Sequence, residues 1–167
     1  MALITLGANS GKGKVLQVVS VTKSDTFSTS STSYVDITGL STSITPSSTS
    51  NKILMNVSMG RAGMNNTISG GFQFVRNSTA IGIGDTSSSR GRGTFAMGHI
   101  GNGSAHGYAS AMSFLDSPNT TSSTTYKCQV KAQTSTFYIN RSSADADSDN
   151  ASNNRYISTL TLMEIQG

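Results

Sequence analysis

The chain has few of the residues from which helices and acid–base catalytic sites are built. Its 167 residues include one glutamate, Glu164, one cysteine, Cys128, two prolines and no tryptophan. A single cysteine excludes an intrachain disulfide and a thiolate metal cluster within one chain. No window of a dozen residues strings together the side chains that favour helices. With so few carboxylates, the composition predicts neither a helical protein nor an enzyme.

Serine and threonine dominate what is present, with 30 and 21 copies. Threonine favours strands, and serine favours turns. Two stretches, KILMNVSM at 52–59 and TTYKCQVKA at 124–132, alternate in the way typical of half-buried strands. Their predicted inward side chains are Ile53, Met55, Val57 and Met59 in the first stretch, and Tyr126, Cys128, Val130 and Ala132 in the second.

About ten such strands, separated by turn signals, predict an all-β fold. We expect an antiparallel β-sandwich, jelly-roll-like, formed by residues 14–167 as a single domain. Residues 1–13 are predicted to be a short N-terminal arm. The first and last strands, 14–22 and 157–165, are apolar on both faces, so we expect them to be neighbours in the middle of the fold. Two short strands are predicted to join near Gly39, and strands 72–76 and 79–84 to pair around Asn77.

The charge pattern argues against several partners. The net charge of +4 is small, and the twelve lysines and arginines are scattered, whereas phosphate binding requires a basic stripe. We therefore expect no nucleic-acid binding. No stretch approaches the ~20 apolar residues of a membrane helix, and the first residues do not resemble a secretion signal. Neither membrane insertion nor secretion is expected.

Three motifs could carry chemistry, and each is incomplete. GANSGKGK at 7–14 lacks the spacing of a phosphate-binding loop. His99 and His106 flank a glycine-rich turn, and three copies of one of them could meet on a trimer axis; a local hydrogen-bonding role is the alternative. Alternating aspartates, at positions 145, 147 and 149, resemble the start of a calcium loop but lack its glycine and glutamate. Asp145, Asp147 and Asp149 are therefore weak candidates for a cation site, and a solvated turn is favoured; no cofactor is expected.

Several stretches together resemble a known group of proteins. They are GKVLQVVSVTKSDTFSTSSTSYVDITGLSTSITPSSTSNKIL at 13–54, FVRNSTAIGIGD at 74–85, SFLDSPNTTSSTTYKCQVKA at 113–132 with FYINRSSADAD at 137–147, and the closing STLTLMEI. The chain is similar to small virion structural proteins of tailed bacteriophages, of the tail-fibre or head-decoration type. The resemblance implies a homotrimeric β-domain on the particle surface, attached to capsid or tail proteins through the arm.

Two functions remain open from the sequence. In the first, the protein is a non-enzymatic capsid decoration, head fibre or knob, and its attachment residues would be Leu3, Ile4, Leu6, Lys12 and Lys14. In the second, it is the receptor-binding head of a tail fibre that contacts a host surface glycan or protein. The predicted contact residues in its loops are then Arg90, Arg92, His106, Asn150 and Arg155. Either function places the protein on the virion.

Overall fold

The computed structural model describes residues 13–64, 70–97, 108–151 and 153–167, and within these ranges it contains strands, turns and loops but no helix. The strands are β1 (Val15–Lys23), β2 (Phe27–Thr29), β3 (Val35–Ile44), β4 (Lys52–Met64), β5 (Gly70–Arg76), β6 (Thr79–Ile81), β7 (Phe95–Met97), β8 (Tyr108–Asp116), β9 (Thr124–Ala132), β10 (Phe137–Ile139) and β11 (Ser158–Ile165).

These strands form two antiparallel sheets. Sheet A has the order β1–β11–β4–β10–β2, and β8 pairs with the opposite edge of β4; sheet B has the order β3–β9–β5–β6, and β7 also pairs with β5. In three places two consecutive strands lie in line: β10 and β11 both pair with β4, β6 and β7 both pair with β5, and β1 and β2 pair with β11 and β10 in turn. Each of these pairs acts as one interrupted strand.

The strand order is that of a jelly roll. Counting each interrupted strand once gives eight strands, numbered along the chain, with sheet A in the order 1-8-3-6 and sheet B in the order 2-7-4-5. Eight strands in two sheets connected in this way are the jelly-roll arrangement. The predicted all-β, antiparallel, jelly-roll-like sandwich is therefore confirmed.

The core lies between the facing surfaces of the two sheets. Phe72 and Phe137 are fully buried in it, and the partly buried Phe95 packs against it: Phe72 stacks on Phe95 with ring centroids 4.6 Å apart, and Phe137 meets Phe72 edge-on at 5.4 Å. Both alternations read from the sequence are confirmed, because every predicted inward side chain is at most 2% exposed: Ile53, Met55, Val57, Met59, Tyr126, Cys128, Val130 and Ala132. Burial of each large apolar side chain stabilises the fold by roughly 1.5–3 kcal/mol.

Several predicted strand boundaries are wrong. β3 is one strand through Gly39 rather than two, and the left-handed backbone there (φ 82°) accompanies an irregular register. The strand predicted over 79–84 ends at Ile81, because Gly82 turns the chain with φ 59°. A further short strand, β2, lies in the polar, Ser- and Thr-rich stretch 23–33. The predicted pairing of β5 with β6 around Asn77 is confirmed.

The first and last strands are neighbours, but β1 is not in the middle of the fold. β1 pairs with β11 over most of its length, as expected, and yet it is the edge strand of sheet A. Its outward side chains remain exposed, with Val18 at 56%. Burial within one chain therefore does not explain why both faces of β1 are apolar.

Candidate ligand-binding and assembly surfaces

A depression of about 550 Å³ lies on the outer face of sheet B. We call it the sheet B pocket and define it by Tyr34, Gly71, Arg92, Ala96 and Lys131. Gly71 of β5 is the register partner of both Ala96 on β7 and Lys131 on β9, so the three lie in one row across the sheet. Because Gly71 has no side chain, the Tyr34 hydroxyl and the Lys131 side chain lie close over it, 3.0 and 3.4 Å from where a Cβ atom would be. Ala96, at the end of the row, is exposed and leaves the pocket open on its side.

Tyr34, Arg92 and Lys131 are held together at this pocket. The Tyr34 hydroxyl donates a hydrogen bond to the Arg92 carbonyl at 3.0 Å, and Lys131 Nζ lies 4.9 Å from the centroid of the Tyr34 ring. Arg92 Nε donates to the carbonyl of Gly84 at 2.5 Å. Burial raises the pKa of Tyr34, so its hydroxyl stays a donor. Among the described residues that line the pocket, two are positively charged and none is acidic.

Glycines allow this arrangement to form. A Cβ atom on Gly93 would overlap the Tyr34 hydroxyl and come within 2.9 Å of the Phe72 carbonyl oxygen, and one on Gly91 would lie 2.8 Å from Lys131 Nζ. At Gly93 the loop between β6 and β7 therefore approaches Tyr34 and the backbone of β5 more closely than a residue with a side chain would allow. The contact at Gly91 is with the end of a flexible lysine side chain, which can move aside.

The next row of the same face is a chain of polar contacts. Gln73 Nε2 donates to Gln129 Oε1 at 2.6 Å, and Gln129 Nε2 donates to Asp36 Oδ1 at 2.6 Å. Lys127 Nζ lies 2.7 Å from the other oxygen of Asp36. This carboxylate is thus engaged by its own neighbours, and the outer face of sheet B is polar beside the pocket.

The outer face of sheet A is different. Register pairs place Val18 of β1 beside Met163 of β11, Met163 beside Leu54 of β4, and Leu54 beside Leu115 of β8. We call these four side chains the apolar row. It crosses the whole sheet, a span of roughly 14 Å at the usual strand spacing. Val18 is 56% exposed and Leu115 47%, so a continuous apolar strip faces outward.

Uncharged residues flank the apolar row. The two rows on one side contain, in order across the sheet, Ser20, Thr161, Asn56 and Ser113, and then Thr22, Thr159, Ser58 and Ala111. On the other side Ile165 pairs with Lys52, whose Nζ donates to Ser117 Oγ at 3.1 Å. Among the side chains of these rows, Lys52 is the one that is charged. A face of this composition can meet a copy of itself without repulsion between like charges.

Two arginines form ion pairs with Asp145, in the aspartate-rich loop between β10 and β11. Arg141 Nη1 lies 2.9 Å from Asp145 Oδ2, and Arg155 Nη1 donates to Asp145 Oδ1. The hydrogen bond from Arg155 and the positive charge of Arg141 lower the pKa of Asp145. A cation at Asp145 would have to displace both guanidinium groups, while Asp147 and Asp149 are exposed. No group of three or more His, Cys, Asp or Glu side chains that could hold a metal occurs among the described residues.

The remaining predicted site residues do not converge. Arg92 reaches the sheet B pocket, but Arg90, two residues away, instead donates to Ser87 Oγ at 2.8 Å. Asn150 lies in the loop of Asp145, where its backbone N–H donates to the Ser148 carbonyl. Lys14 is exposed at the start of β1. Other predicted residues lie outside the described ranges: Leu3, Ile4, Leu6, Lys12, His99 and His106.

Tyr34 and Lys131 were not predicted from the sequence as site residues. They are 97 positions apart, and nothing in the sequence around either predicts that they meet. The available signal was indirect: Lys131 lies on the outward side of the clearest alternation in the chain. The pairing of β3 with β9 then brings Tyr34 next to it.

Two buried carboxylates connect separate elements of the fold. Glu164 accepts hydrogen bonds from Asn51, Gln17 and Ser47 at 2.6–2.7 Å, and Asp116 is held by Arg76 Nη1 at 2.8 Å. Every one of these donors comes from a different element than its acceptor. Both carboxylates therefore join elements of the sandwich at its ends.

A comparison with known protein families finds no family model that matches the chain, and a search of curated proteins finds no match either. The described residues include no helix long and apolar enough to cross a membrane.

Proposed function

We propose that this chain is a non-enzymatic structural protein of a bacteriophage particle. It forms a homotrimer on the virion surface as a capsid decoration, head fibre or knob, and residues 1–13 attach it to capsid or tail proteins. The sequence resemblance described above supports this function. So does a jelly-roll sandwich whose two outer faces have opposite character, although one fold serves many functions.

The apolar row is the observation that carries the proposal. A soluble monomer rarely exposes a continuous apolar strip, and such strips mark contact sites. The row of Val18, Leu54, Leu115 and Met163 spans one outer face, while the other outer face holds hydrogen-bonded glutamines and charges. In the trimer, sheet A contacts the neighbouring copies and sheet B faces the surroundings. This also explains why β1 is apolar on both faces although it is an edge strand.

The absence of catalysis is part of the proposal. Hydrolysis of a glycan would require a pair of carboxylates about 5–10 Å apart on either side of the bond. The carboxylates of Asp36 and Asp145 are ion-paired, and that of Glu164 is buried under three hydrogen-bonding partners. No acidic side chain lines the sheet B pocket within the described ranges.

Light scattering on the purified protein tests the assembly. At micromolar concentration the native chain is expected to have the mass of three copies. Val18→Lys and Leu115→Lys each place a charge in the apolar row, so both should give monomers. Thr22→Lys is the matched control, because it adds the same charge to the same strand face but outside the row. A native monomer, or a Thr22→Lys variant as disrupted as Val18→Lys, would contradict the proposal.

A second candidate function is the receptor-binding head of a tail fibre. The sheet B pocket favours it, because an open depression with an aromatic ring and two cations can hold a host surface glycan. Copy number separates the candidates. Quantifying the protein in purified virions should give hundreds of copies for a decoration and a few trimers for a tail fibre.

A further inference from the structure

We infer that the sheet B pocket binds a carboxylated saccharide. This inference deepens the second candidate function, since it names the ligand class, but the binding itself does not depend on where the protein is mounted. Three properties of the pocket support it: its charge, its aromatic wall and its open side at Ala96.

The positive charges of the pocket favour an anionic ligand. Within the part of the chain that the structure describes, Arg92 uses only Nε for a hydrogen bond, and Lys131 has no carboxylate partner. The two Nη groups of Arg92 and the ammonium group of Lys131 therefore remain available as donors. Charged hydrogen bonds from such groups to a carboxylate are among the strong ones.

The shape and the aromatic ring of the pocket favour a sugar. The ring of Tyr34 is half-buried, and its hydroxyl is fixed by the Arg92 carbonyl at 3.0 Å. Lys131 Nζ lies over this ring, 4.9 Å from its centroid, so ring and cation form one wall against which a pyranose can pack, and Thr32 lies at the border. Ala96, which is exposed and small, lets a flat ligand approach the sheet beside Tyr34 and Lys131. A volume of about 550 Å³ lies within the range of small-molecule sites.

Calorimetric titration of the full-length protein at low salt tests the inference. Two carboxylated probes are compared with neutral counterparts: tetragalacturonate with galactotetraose, and 3′-sialyllactose with lactose. Acetate tests the carboxylate alone. We expect at least one carboxylated probe to bind, and its neutral counterpart and acetate to bind at least about tenfold more weakly, which is the loss of one charged hydrogen bond.

Substitutions in the loop between β6 and β7 and on β9 localise the binding. Arg92→Gln and Lys131→Gln should each weaken the bound probe by about tenfold. Arg90→Gln removes the same charge two residues away and outside the pocket, so it should leave the affinity unchanged. Circular dichroism establishes that all three variants are folded.

Three outcomes would overturn the inference: no binding of either carboxylated probe, equal binding of the neutral counterparts, or an Arg90→Gln variant as weak as Arg92→Gln. The proposed function fails separately, by the mass of the native protein and of its sheet A variants. A trimer that binds neither saccharide would remove only the pocket assignment.

Discussion

At the scale of single residues, the buried carboxylate of Glu164 shows how a sequence almost without glutamate uses the one it has. Its position follows the inward alternation of β11, after Leu160 and Leu162, so it is placed at the end of the core. Burial opposes its ionisation, but hydrogen bonds from Asn51, Gln17 and Ser47 outweigh burial and lower its pKa to about 2. The carboxylate thereby fixes the β3–β4 loop and β1 to β11.

This lowered pKa predicts a stability loss in acid. Because the folded-state pKa lies below the ordinary value of 4.5, the stabilisation is complete above about pH 4.5 and is lost as the pH falls towards 2. Glu164→Gln removes the negative charge. It also places the N–H donors of the glutamine amide next to the donor groups of Gln17, Ser47 and Asn51. It should lower the free energy of unfolding by about 2 kcal/mol at pH 6 and by much less near pH 2.

Urea unfolding at pH 6, 4 and 2.5 measures this difference. The other carboxylates are the same in both proteins, so their contributions cancel. Asp85→Asn is the control, since Asp85 is exposed and has no hydrogen-bond or ion-pair partner among the described residues. A difference between native protein and Glu164→Gln that is equal at all three pH values would refute the assignment.

Cys128 provides a second prediction at this scale. It is fully buried on the inward face of β9, and burial raises the pKa of its thiol. Since the thiolate is the reactive form, the native protein should react with a thiol reagent at pH 8 at least about 100-fold more slowly than the urea-unfolded chain. Equal rates in the two states would mean that the thiol is accessible.

At the scale of elements, the junctions inside the interrupted strands hold sheet A together. Asn140 follows β10 in a left-handed conformation (φ 63°), and its side-chain amide donates to the carbonyls of Lys23 and Asp25. Its side-chain oxygen accepts a hydrogen bond from Ser158 Oγ at 2.7 Å. One side chain thus connects the break between β1 and β2 with the break between β10 and β11.

Asn140→Ala should destabilise the protein by about 3 kcal/mol, because it leaves buried polar groups without partners and places alanine at positive φ. Asn119→Ala is the matched control for the backbone effect. Asn119 has nearly the same conformation (φ 52°) but is exposed and donates no side-chain hydrogen bond within the described ranges. It should cost about 1 kcal/mol. Thermal unfolding measures the loss of stability in both variants. Equal losses would show that the Asn140 hydrogen bonds contribute little.

At the scale of the whole molecule, the fold was largely predictable and the pocket was not. Strict alternation determines which face of β4 and β9 is buried, so the sandwich and its core follow from local patterns. β1 has no such alternation, because Val15, Leu16, Val18 and Val19 are all apolar. The hydrophobic pattern therefore does not show which face of β1 points into the core. The pocket depends on strand register across β3, β9, β5 and β7, which joins residues far apart in the sequence. Arg92 could be singled out only as a basic residue in a glycine-rich loop.

The arm gives the last prediction, and it concerns the division between folding and attachment. The ladder of sheet A begins where Gly13 N–H donates to the Gln166 carbonyl at 3.0 Å and Gln166 N–H donates to the Lys14 carbonyl. A chain that starts at Gly13 keeps all the contacts described here, so its unfolding midpoint should match that of the full chain within about 2 °C, the effect of a few tenths of a kcal/mol. It should nevertheless fail to bind particles that lack the protein.

Two further variants separate the forces in the attachment. Replacing Leu3, Ile4 and Leu6 with serine tests apolar docking, and replacing Lys12 and Lys14 with glutamine tests attraction to acidic capsid or tail surfaces. Because three arms act together in a trimer, partial weakening of each arm should cause a much larger loss of binding to the particle than in a monomeric sheet A variant. Sedimentation of the variants with depleted particles measures the bound fraction. If the truncated chain still sediments with the particles, attachment does not depend on the arm, and an outer face of the sandwich must provide it.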